Sequence, residues 1–279
     1  MIHQLNMYGM DMVEVAIERL RAFEPPEGYF LAFSGGKDSV VVKALADMAE
    51  VKYDAHYQIT SVDPPELVQF VKTFPDVKME HRYWPDDYKN EKLRGRPITM
   101  WNLIPELKIP PTRIMRYCCK YLKEGSGEGR FVITGVRKAE SVKRSKRGGL
   151  ELAKNKTQRL VNYDPDNQTP EMMYHCQQYY RKVLNPIIDW TTAEVWEFIR
   201  EYNISYCKLY DEGYKRLGCI GCPMGSKRHR MEEFERNPKI KNAYMAAFKE
   251  MLKQRTVIGV NDWETAEDVF NWWLYSNDR

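Results

Sequence analysis

Apolar and polar positions alternate along the chain in blocks that change period. Met12, Val13, Val15, Ala16, Ile17, Leu20 and Phe23 fall largely on one helical stripe, with Glu and Arg between them. That spacing predicts an amphipathic helix over 11–23 that stops before Pro25-Pro26. Residues 29–33 form a short apolar run that ends abruptly in Ser34-Gly35-Gly36-Lys37-Asp38-Ser39, and an apolar, helix-compatible stretch follows over 40–48. Residues 51–60, 77–84 and 130–135 read as further strands, and 185–190 as an extended piece. Pro64 and Pro65 fit the start of a helix over 66–73, for which Asp63 serves either as N-cap or as a nucleotide contact. A short helical piece spans 100–107, and Pro110-Pro111-Thr112 leads rigidly into 113–122. Thr191-Thr192-Ala193-Glu194 fits a capping box, with Val195, Phe198 and Ile199 as the apolar face of the helix it opens. From about Lys227 onward the chain reads as helical, with Met, Phe and Trp at helical spacings over 240–255 and 263–275.

Strands alternating with helices at this spacing predict an α/β fold, a doubly wound and mostly parallel sheet. The expected division is a nucleotide-binding domain over 1–226 and a helical C-terminal appendage over 227–279 packed on it. Ligands of such sheets sit at the carboxyl ends of strands. Both Ser34–Ser39 and Gly135–Ser141 follow strands, which places them on one rim.

Composition narrows the class. With 279 residues, 43% hydrophobic and 29% charged, the chain can bury a large core and is not disordered in composition. A formal net charge of +4 is too small to imply a nucleic-acid partner by itself. The first residues have neither a basic region nor a long apolar run, and no stretch approaches the roughly 20 apolar residues of a membrane span. A soluble cytoplasmic protein is expected, in which six cysteines are metal ligands or thiols rather than disulfides.

Three constellations carry candidate chemistry. The first is the loop Ser34, Gly35, Gly36, Lys37, Asp38 and Ser39. A strand, a glycine turn and a helix N-terminus converge backbone N–H groups on an anion, and Lys37, expected on an exposed rim, adds a cation. It is not a Walker A loop, which needs a different glycine spacing. The bland alternative is an ordinary strand-to-helix turn with a polar cap. The second is Cys118-Cys119 with Cys219-Ile220-Gly221-Cys222, two thiolate pairs that can hold zinc or an iron–sulfur cluster. Adjacent cysteines are awkward as two ligands of one zinc, whereas a cube with several iron corners accepts both; buried thiols are the bland alternative. Cys176 and Cys207 lack paired spacing and read as ordinary. The third is the run Arg137, Lys138, Lys143, Arg144, Lys146, Arg147, Lys154, Lys156 and Arg159, set against Glu140 and Glu151 within the segment. It contains Gly148-Gly149. It reads either as a solvated face or as a mobile basic loop that closes over a phosphosulfate or follows a nucleic-acid backbone.

The SGGKDS loop, the Cys-Cys pair with a distant CxxC, the TGVRKAES segment, NPIIDWTTAEVW over 185–196 and LYDEGY over 209–214 together resemble the phosphoadenylyl/adenylyl-sulfate reductase family. The resemblance is to its iron–sulfur branch within the PP-loop (adenine nucleotide alpha hydrolase-like) proteins, and also to DNA phosphorothioation ATP pyrophosphatases. It covers the chain from Tyr29 to about Pro223. It implies a nucleotide site of Ser34, Gly35, Gly36, Lys37, Asp38, Ser39, Gly135, Arg137 and Arg144, with Lys37, Asp38 and Arg137 as the catalytic candidates. It implies a 4Fe-4S cluster on Cys118, Cys119, Cys219 and Cys222, with zinc as the alternative. ATP or adenylyl sulfate is the expected nucleotide, with Mg²⁺ held in part by Asp38. The expected partners are a sulfur donor such as a cysteine desulfurase and a nucleic acid on the 137–159 segment. Two reactions fit: ATP cleavage between the α and β phosphates in preparation for sulfur transfer, or thioredoxin-dependent sulfonucleotide reduction. Reductases of the family carry their nucleophile in a Glu-Cys-Gly-like tail, and no cysteine follows Cys222, so ATP cleavage is the expected reaction. A nucleotide and cluster sensor without catalysis is the non-enzymatic alternative.

Overall fold

The computed structural model describes residues 11–155, 158–167, 178–260 and 262–275; Lys156, Cys176 and the tail 276–279 lie outside the described residues. The chain divides into two compact units. The first comprises Met1–Tyr57, Glu66–Met79 and Ser126–Arg216, and the second Gln58–Pro65, Glu80–Gly125 and Leu217–Arg279. This differs from the expected cut near residue 226. The C-terminal helices do not form an appendage of their own, because they build one core together with residues drawn from the middle of the chain.

The first unit is built on the sheet. Strands β1 (Tyr29–Ala32), β2 (Tyr53–Gln58), β3 (Val77–Glu80), β4 (Phe131–Ile133), β5 (Leu150–Ala153), β6 (Val161–Tyr163) and β7 (Arg181–Leu184) lie in the order β3-β2-β1-β4-β7-β5-β6. β1 is parallel to β2 and β4, and β4 is parallel to β7, with Leu31 opposite Ala55 and Ile133. β5 then pairs antiparallel with both β7 and β6. The sheet is thus mostly parallel with an antiparallel edge, the expected α/β class. Tyr29, Leu31, Phe131 and Ile133 are fully buried, as central parallel strands covered on both faces require. Helix α1 (Met12–Ala22) starts at Asp11, whose carboxylate accepts the Val13 N–H, and it packs on α2 (Lys37–Ala49).

Two expectations in this unit are corrected. Residues 186–189 form a turn rather than a strand, and the strand is Arg181–Leu184 before it. Arg19 of α1 fixes that turn: it donates to the Pro186 carbonyl at 2.9 Å and to Asp189 at 3.1 Å, and reaches Asp166 with two nitrogens. The basic segment is also not one mobile loop. Its residues Leu150–Ala153 are a buried strand, and Arg147 pairs with the buried Glu151. Gly149 is enclosed as well, since a Cβ there would lie 2.6 Å from Pro165. The capping box at Thr191 and Glu194 forms as expected and opens α6 (Thr192–Glu201), which buries Val195, Phe198 and Ile199.

The second unit is helical. It contains α4 (Met100–Leu107), α5 (Tyr117–Leu122), α7 (Lys227–Arg236), α8 (Pro238–Val257) and α9 (Ala266–Tyr275); α3 (Pro65–Val71) follows β2 in the chain. α4 and α9 pack on α8 around Leu103, Ile104, Tyr244, Phe248, Met251 and Trp273. Asp63 does not cap α3; its carboxylate accepts the Thr60 N–H at 2.8 Å and closes the preceding turn. No helix among the described residues is long and apolar enough to cross a membrane.

Burial pushes the Asp189 carboxyl up, but bonds from Lys138 and Arg19 outweigh it and hold the group below the usual aspartate range. A depressed carboxylate contributes stability that is present above its unfolded pKa of about 4 and is lost as pH falls through the lower folded value. Urea titrations between pH 7 and pH 2 should therefore show Asp189→Asn with a shallower acid loss of stability than the parent chain. Identical acid limbs would contradict the assignment.

Candidate functional site

The loop after β1 folds as it does because two positions tolerate only glycine. Gly35 has φ +70, and a Cβ there would lie 2.7 Å from Leu67 and 2.8 Å from Val71 of α3. Gly135, at the end of β4, approaches the first turn of α2 so closely that a Cβ would meet the Asp38 carbonyl carbon and oxygen at 2.8 Å. Gly36 is the N-cap of α2 in extended conformation and supplies no capping side chain. The first amides of α2 are thereby left to acceptors from outside the helix. Ser39 instead ties the loop together. Its hydroxyl donates to the Gly36 carbonyl at 2.9 Å and accepts the Ser34 N–H at 3.2 Å, and the two serine oxygens are 3.1 Å apart.

Charge at the loop is arranged around Asp38. One carboxylate oxygen accepts from Lys37 Nζ at 2.8 Å and the other from Arg137 Nε at 2.7 Å. Lys37 and Arg137 are 5% and 1% exposed, so Lys37 is not on an exposed rim. Arg137 also donates to the Trp190 carbonyl at 3.1 Å and lies 3.4 Å from the Thr192 hydroxyl, so its guanidinium clamps α2, the 186–190 turn and α6. Arg144 pairs with Glu140, whose other oxygen accepts the Arg137 N–H at 3.0 Å. Sequence reasoning thus placed Ser34, Gly35, Gly36, Lys37, Asp38, Ser39, Gly135 and Arg137 correctly at one end of the sheet, but set the arginines open to an anion where the fold turns both toward carboxylates. Each Asp38 oxygen takes one of these bonds and keeps a further lone pair, so the carboxylate is held from both sides without being saturated. Lys138 and Arg147 are likewise paired, with Asp189 and Glu151. Arg137, Lys138, Arg144 and Arg147 of the basic run are therefore paired, by partners distant in sequence as well as near.

Two residues of this region lie in the NPIIDWTTAEVW and LYDEGY segments, but nothing in the sequence marked their individual roles. Asn185 is fully buried; its amide accepts from the Thr134 hydroxyl, donates to the Gly148 carbonyl at 2.9 Å, and so fixes the end of β4 beside Gly135. Tyr210 accepts the Lys37 N–H at 2.9 Å.

The second unit carries the four paired cysteines. Cys118 and Cys119 are adjacent on α5, and all four are partly exposed free thiols. They lie within electrostatic reach of one another. The Cys118 thiol is pushed up by its bond to Cys119, by burial, and by the charges of Cys119, Cys219 and Cys222. Cys119 is drawn down, first by the bond with Cys118 and then, against burial, by Arg116, whose Nη2 lies 3.3 Å from its sulfur. Burial pushes the Cys219 thiol up, with the Lys123 charge opposing.

The CxxC loop itself is braced by backbone bonds. The Ile220 N–H donates to the Val62 carbonyl at 2.8 Å, its carbonyl accepts from the buried Tyr244 hydroxyl at 3.1 Å, and the Gly221 N–H donates to Glu233 at 2.9 Å. Gly221 has φ +71, and a Cβ would lie 2.4 Å from the Phe234 ring. Cys207, in the first unit, is fully buried, and burial raises its thiol. Among the described residues, no three His, Cys, Asp or Glu side chains are grouped tightly enough for a single metal ion.

With this geometry in place, comparison with known proteins identifies the class. The phosphoadenosine phosphosulfate reductase domain matches residues 28–225, and the chain belongs to that family. It is 27% identical to an adenosine 5'-phosphosulfate reductase of Oceanobacillus iheyensis, over 63% of this chain and 60% of that one. It is 26% identical to a probable FAD synthase of Schizosaccharomyces pombe, over 76% of this chain and 65% of that one. Two uncharacterized proteins of Methanocaldococcus jannaschii are 27% and 26% identical, over 73% and 78% of this chain. The chain spans 38% and 47% of those two, so it covers less than two thirds of the length of all four relatives. Among solved structures, phosphoadenylyl-sulfate reductase from Candida auris in a phosphate complex aligns with a TM-score of 0.43 at 15% identity, over 77% of this chain and 96% of that one.

Two substitutions test this geometry. Lys37→Ala removes a buried ion-paired side chain, so it should cost about 1–3 kcal/mol in urea unfolding. An unchanged midpoint would place Lys37 back on an open rim. Gly221→Ala forces a methyl group into Phe234 at a positive φ, and should lower the melting temperature of the second unit by several degrees, about 1–3 kcal/mol. Unaltered melting would mean that the CxxC loop is not braced as described.

Proposed function

We propose that the chain is a PP-loop enzyme that cleaves ATP between the α and β phosphates and passes the adenylyl group to an acceptor in sulfur transfer. The observation that carries this reading is the first turn of α2: an N-cap without a side-chain cap, serine hydroxyls on either side, and a buried Lys37 beside it. The departing pyrophosphate sits there, and the loop amides and Lys37 stabilise the charge that develops on it, an electrostatic role rather than a nucleophilic one. Asp38 and Arg137 hold that turn in place. Magnesium, in this reading, would be held by the phosphates and in part by Asp38.

Sulfonucleotide reduction is the second reading, and the similarity to adenosine 5'-phosphosulfate reductases favours it. It calls for a thiol that can reach a sulfate sulfur. In the first unit, Cys207 is the cysteine among the described residues, and its burial and raised pKa make it a poor nucleophile. ATP cleavage stays the first reading because of the α2 turn described above.

Cys118, Cys119, Cys219 and Cys222 fit a 4Fe-4S cluster better than zinc. A zinc ion gathers its sulfurs to about 2.3 Å of one point, which the adjacent side chains of Cys118 and Cys119 meet awkwardly. A cube spreads its ligands over separate corners, and Arg116 and Lys123 supply positive charge for a thiolate-rich site. When bound, such a cluster supplies electron transfer or a sulfur-binding iron. A nucleic-acid acceptor would meet the cations of the 137–159 segment that make no ion pair among the described residues, Lys143, Lys146, Lys154 and Arg159. A sulfur-donor protein is the other expected partner.

Anaerobically purified protein should contain about four irons and four sulfides per chain, and should release pyrophosphate from ATP when given the right acceptor from a panel of DNA and tRNA. Sulfite release from adenylyl sulfate with thioredoxin, without pyrophosphate formation, would establish the second reading instead. Cys219→Ser should lose its iron and much of its soluble yield. Zinc in place of iron, or an unchanged iron content in that variant, would refute the ligand set.

A further inference from the structure

Tyr210 lies in the short turn Lys208–Tyr210 and has a place in the loop that its chemistry makes specific. Its hydroxyl oxygen accepts the Lys37 N–H at 2.9 Å, the first helical amide of α2. The same oxygen hangs over Gly36, 3.5 Å from where a Cβ would stand, with the Ser34 hydroxyl at 3.4 Å from that point. Its ring is held edge-on by Trp196 at 5.1 Å, with Tyr206 at 6.4 Å, and Lys37 Nζ lies 5.9 Å from its centroid. The hydroxyl is thus positioned by packing from behind and by one hydrogen bond from below.

A phenol that accepts a hydrogen bond keeps its own proton to give. Among the described residues, the Tyr210 hydroxyl has no acceptor for that proton. Burial pushes its pKa up, so the proton stays on at physiological pH. The Lys37 N–H polarises the oxygen and strengthens it as a donor. An oxyanion resting at the N-terminus of α2 would meet this proton where the Lys37 amide would otherwise point.

We propose that Tyr210 is an oxyanion-binding residue of the loop: it relays the Lys37 amide outward and donates its hydroxyl proton to a phosphate or sulfate oxygen of the bound nucleotide. The proposal rests on the pyrophosphate-loop reading and adds a side chain to it. Tyr210 brings no charge, so it serves orientation rather than neutralisation. It replaces a backbone donor, which points along the helix axis, by one that reaches over Gly36. The ligand class it selects is a nucleotide with an oxyanion beyond the α phosphate. A nucleoside monophosphate places nothing there.

Tyr210→Phe keeps the ring and its aromatic contacts and removes only the hydroxyl. Calorimetric titration with ATP and with inorganic pyrophosphate should show binding weakened about ten- to a hundredfold, the worth of a hydrogen bond to a charged group. AMP binding should be unchanged, and the melting temperature should stay within a few degrees. A purely structural role would weaken all three ligands alike, and that result overturns the proposal. Tighter ATP binding by Tyr210→Phe also overturns it, since the hydroxyl would then be occupying the anion's place. Wild-type protein that binds ATP and pyrophosphate, with a variant that binds them equally well, removes Tyr210 but leaves the loop reading standing. Wild-type protein that binds neither ligand, nor adenylyl sulfate, overturns both.

Discussion

One carboxylate holds the Ser34–Ser39 end of the first unit together. Asp38, in the first turn of α2, accepts from Lys37 with one oxygen and from Arg137 with the other. Both cations are almost entirely buried, and a buried charge without a partner costs several kcal/mol, on the order of 3–5. Everything around the loop follows from keeping this triad together. Gly135 has no side chain because the end of β4 must come within contact of Asp38. The 186–190 turn and α6 are drawn in because Arg137 needs the Trp190 carbonyl and the Thr192 hydroxyl. Asn185 then stitches the end of β4 to the 148–149 backbone. The loop thereby presents backbone and hydroxyl groups above a triad of two cations and one carboxylate, which keeps a net positive charge.

The second unit solves a different problem, which is to brace the CxxC loop that presents Cys219 and Cys222. It does so through backbone bonds and a packed aromatic core. Tyr244, Glu233 and Val62 take up the polar groups of the CxxC loop, and Phe234 and Trp273 leave room there only for glycine. Glu233 is buried, and burial raises its carboxyl; the Gly221 N–H and the nearby His229 and Arg230 charges offset that cost. The C-terminal helices thus form the wall of the cysteine site, which gives α7–α9 a role beyond packing.

Much of this was legible in the sequence where the signal was local. Thr191 with Glu194 and the glycines of the Ser34–Ser39 loop act on residues within a few positions of themselves, so spacing reveals them. Strands β5 and β6 were hidden. Leu150–Ala153 is a buried strand inside a basic stretch, and its Glu151 is acceptable there only because Arg147 folds back onto it. The partners of Arg137, Asn185 and Tyr210 were hidden for another reason. They lie 99, 51 and 173 residues away, where no periodicity reaches. The apparent charge of the 137–159 run misled for the same reason, since Asp38 and Asp189 neutralise part of it from a distance.

Membership in the phosphoadenosine phosphosulfate reductase domain family brings relatives named for sulfonucleotide reduction and for flavin nucleotide synthesis. The role proposed for the Ser34–Ser39 loop, a grip on an oxyanion next to an adenylyl group, is compatible with both names. A crystal structure of the anaerobic protein with a non-hydrolysable ATP analogue tests that claim most directly. The account predicts the β and γ phosphates against the Asp38 and Ser39 amides, with the Asp38 ion pairs intact. Phosphates bound elsewhere on the first unit, with this loop unchanged and empty, would contradict it.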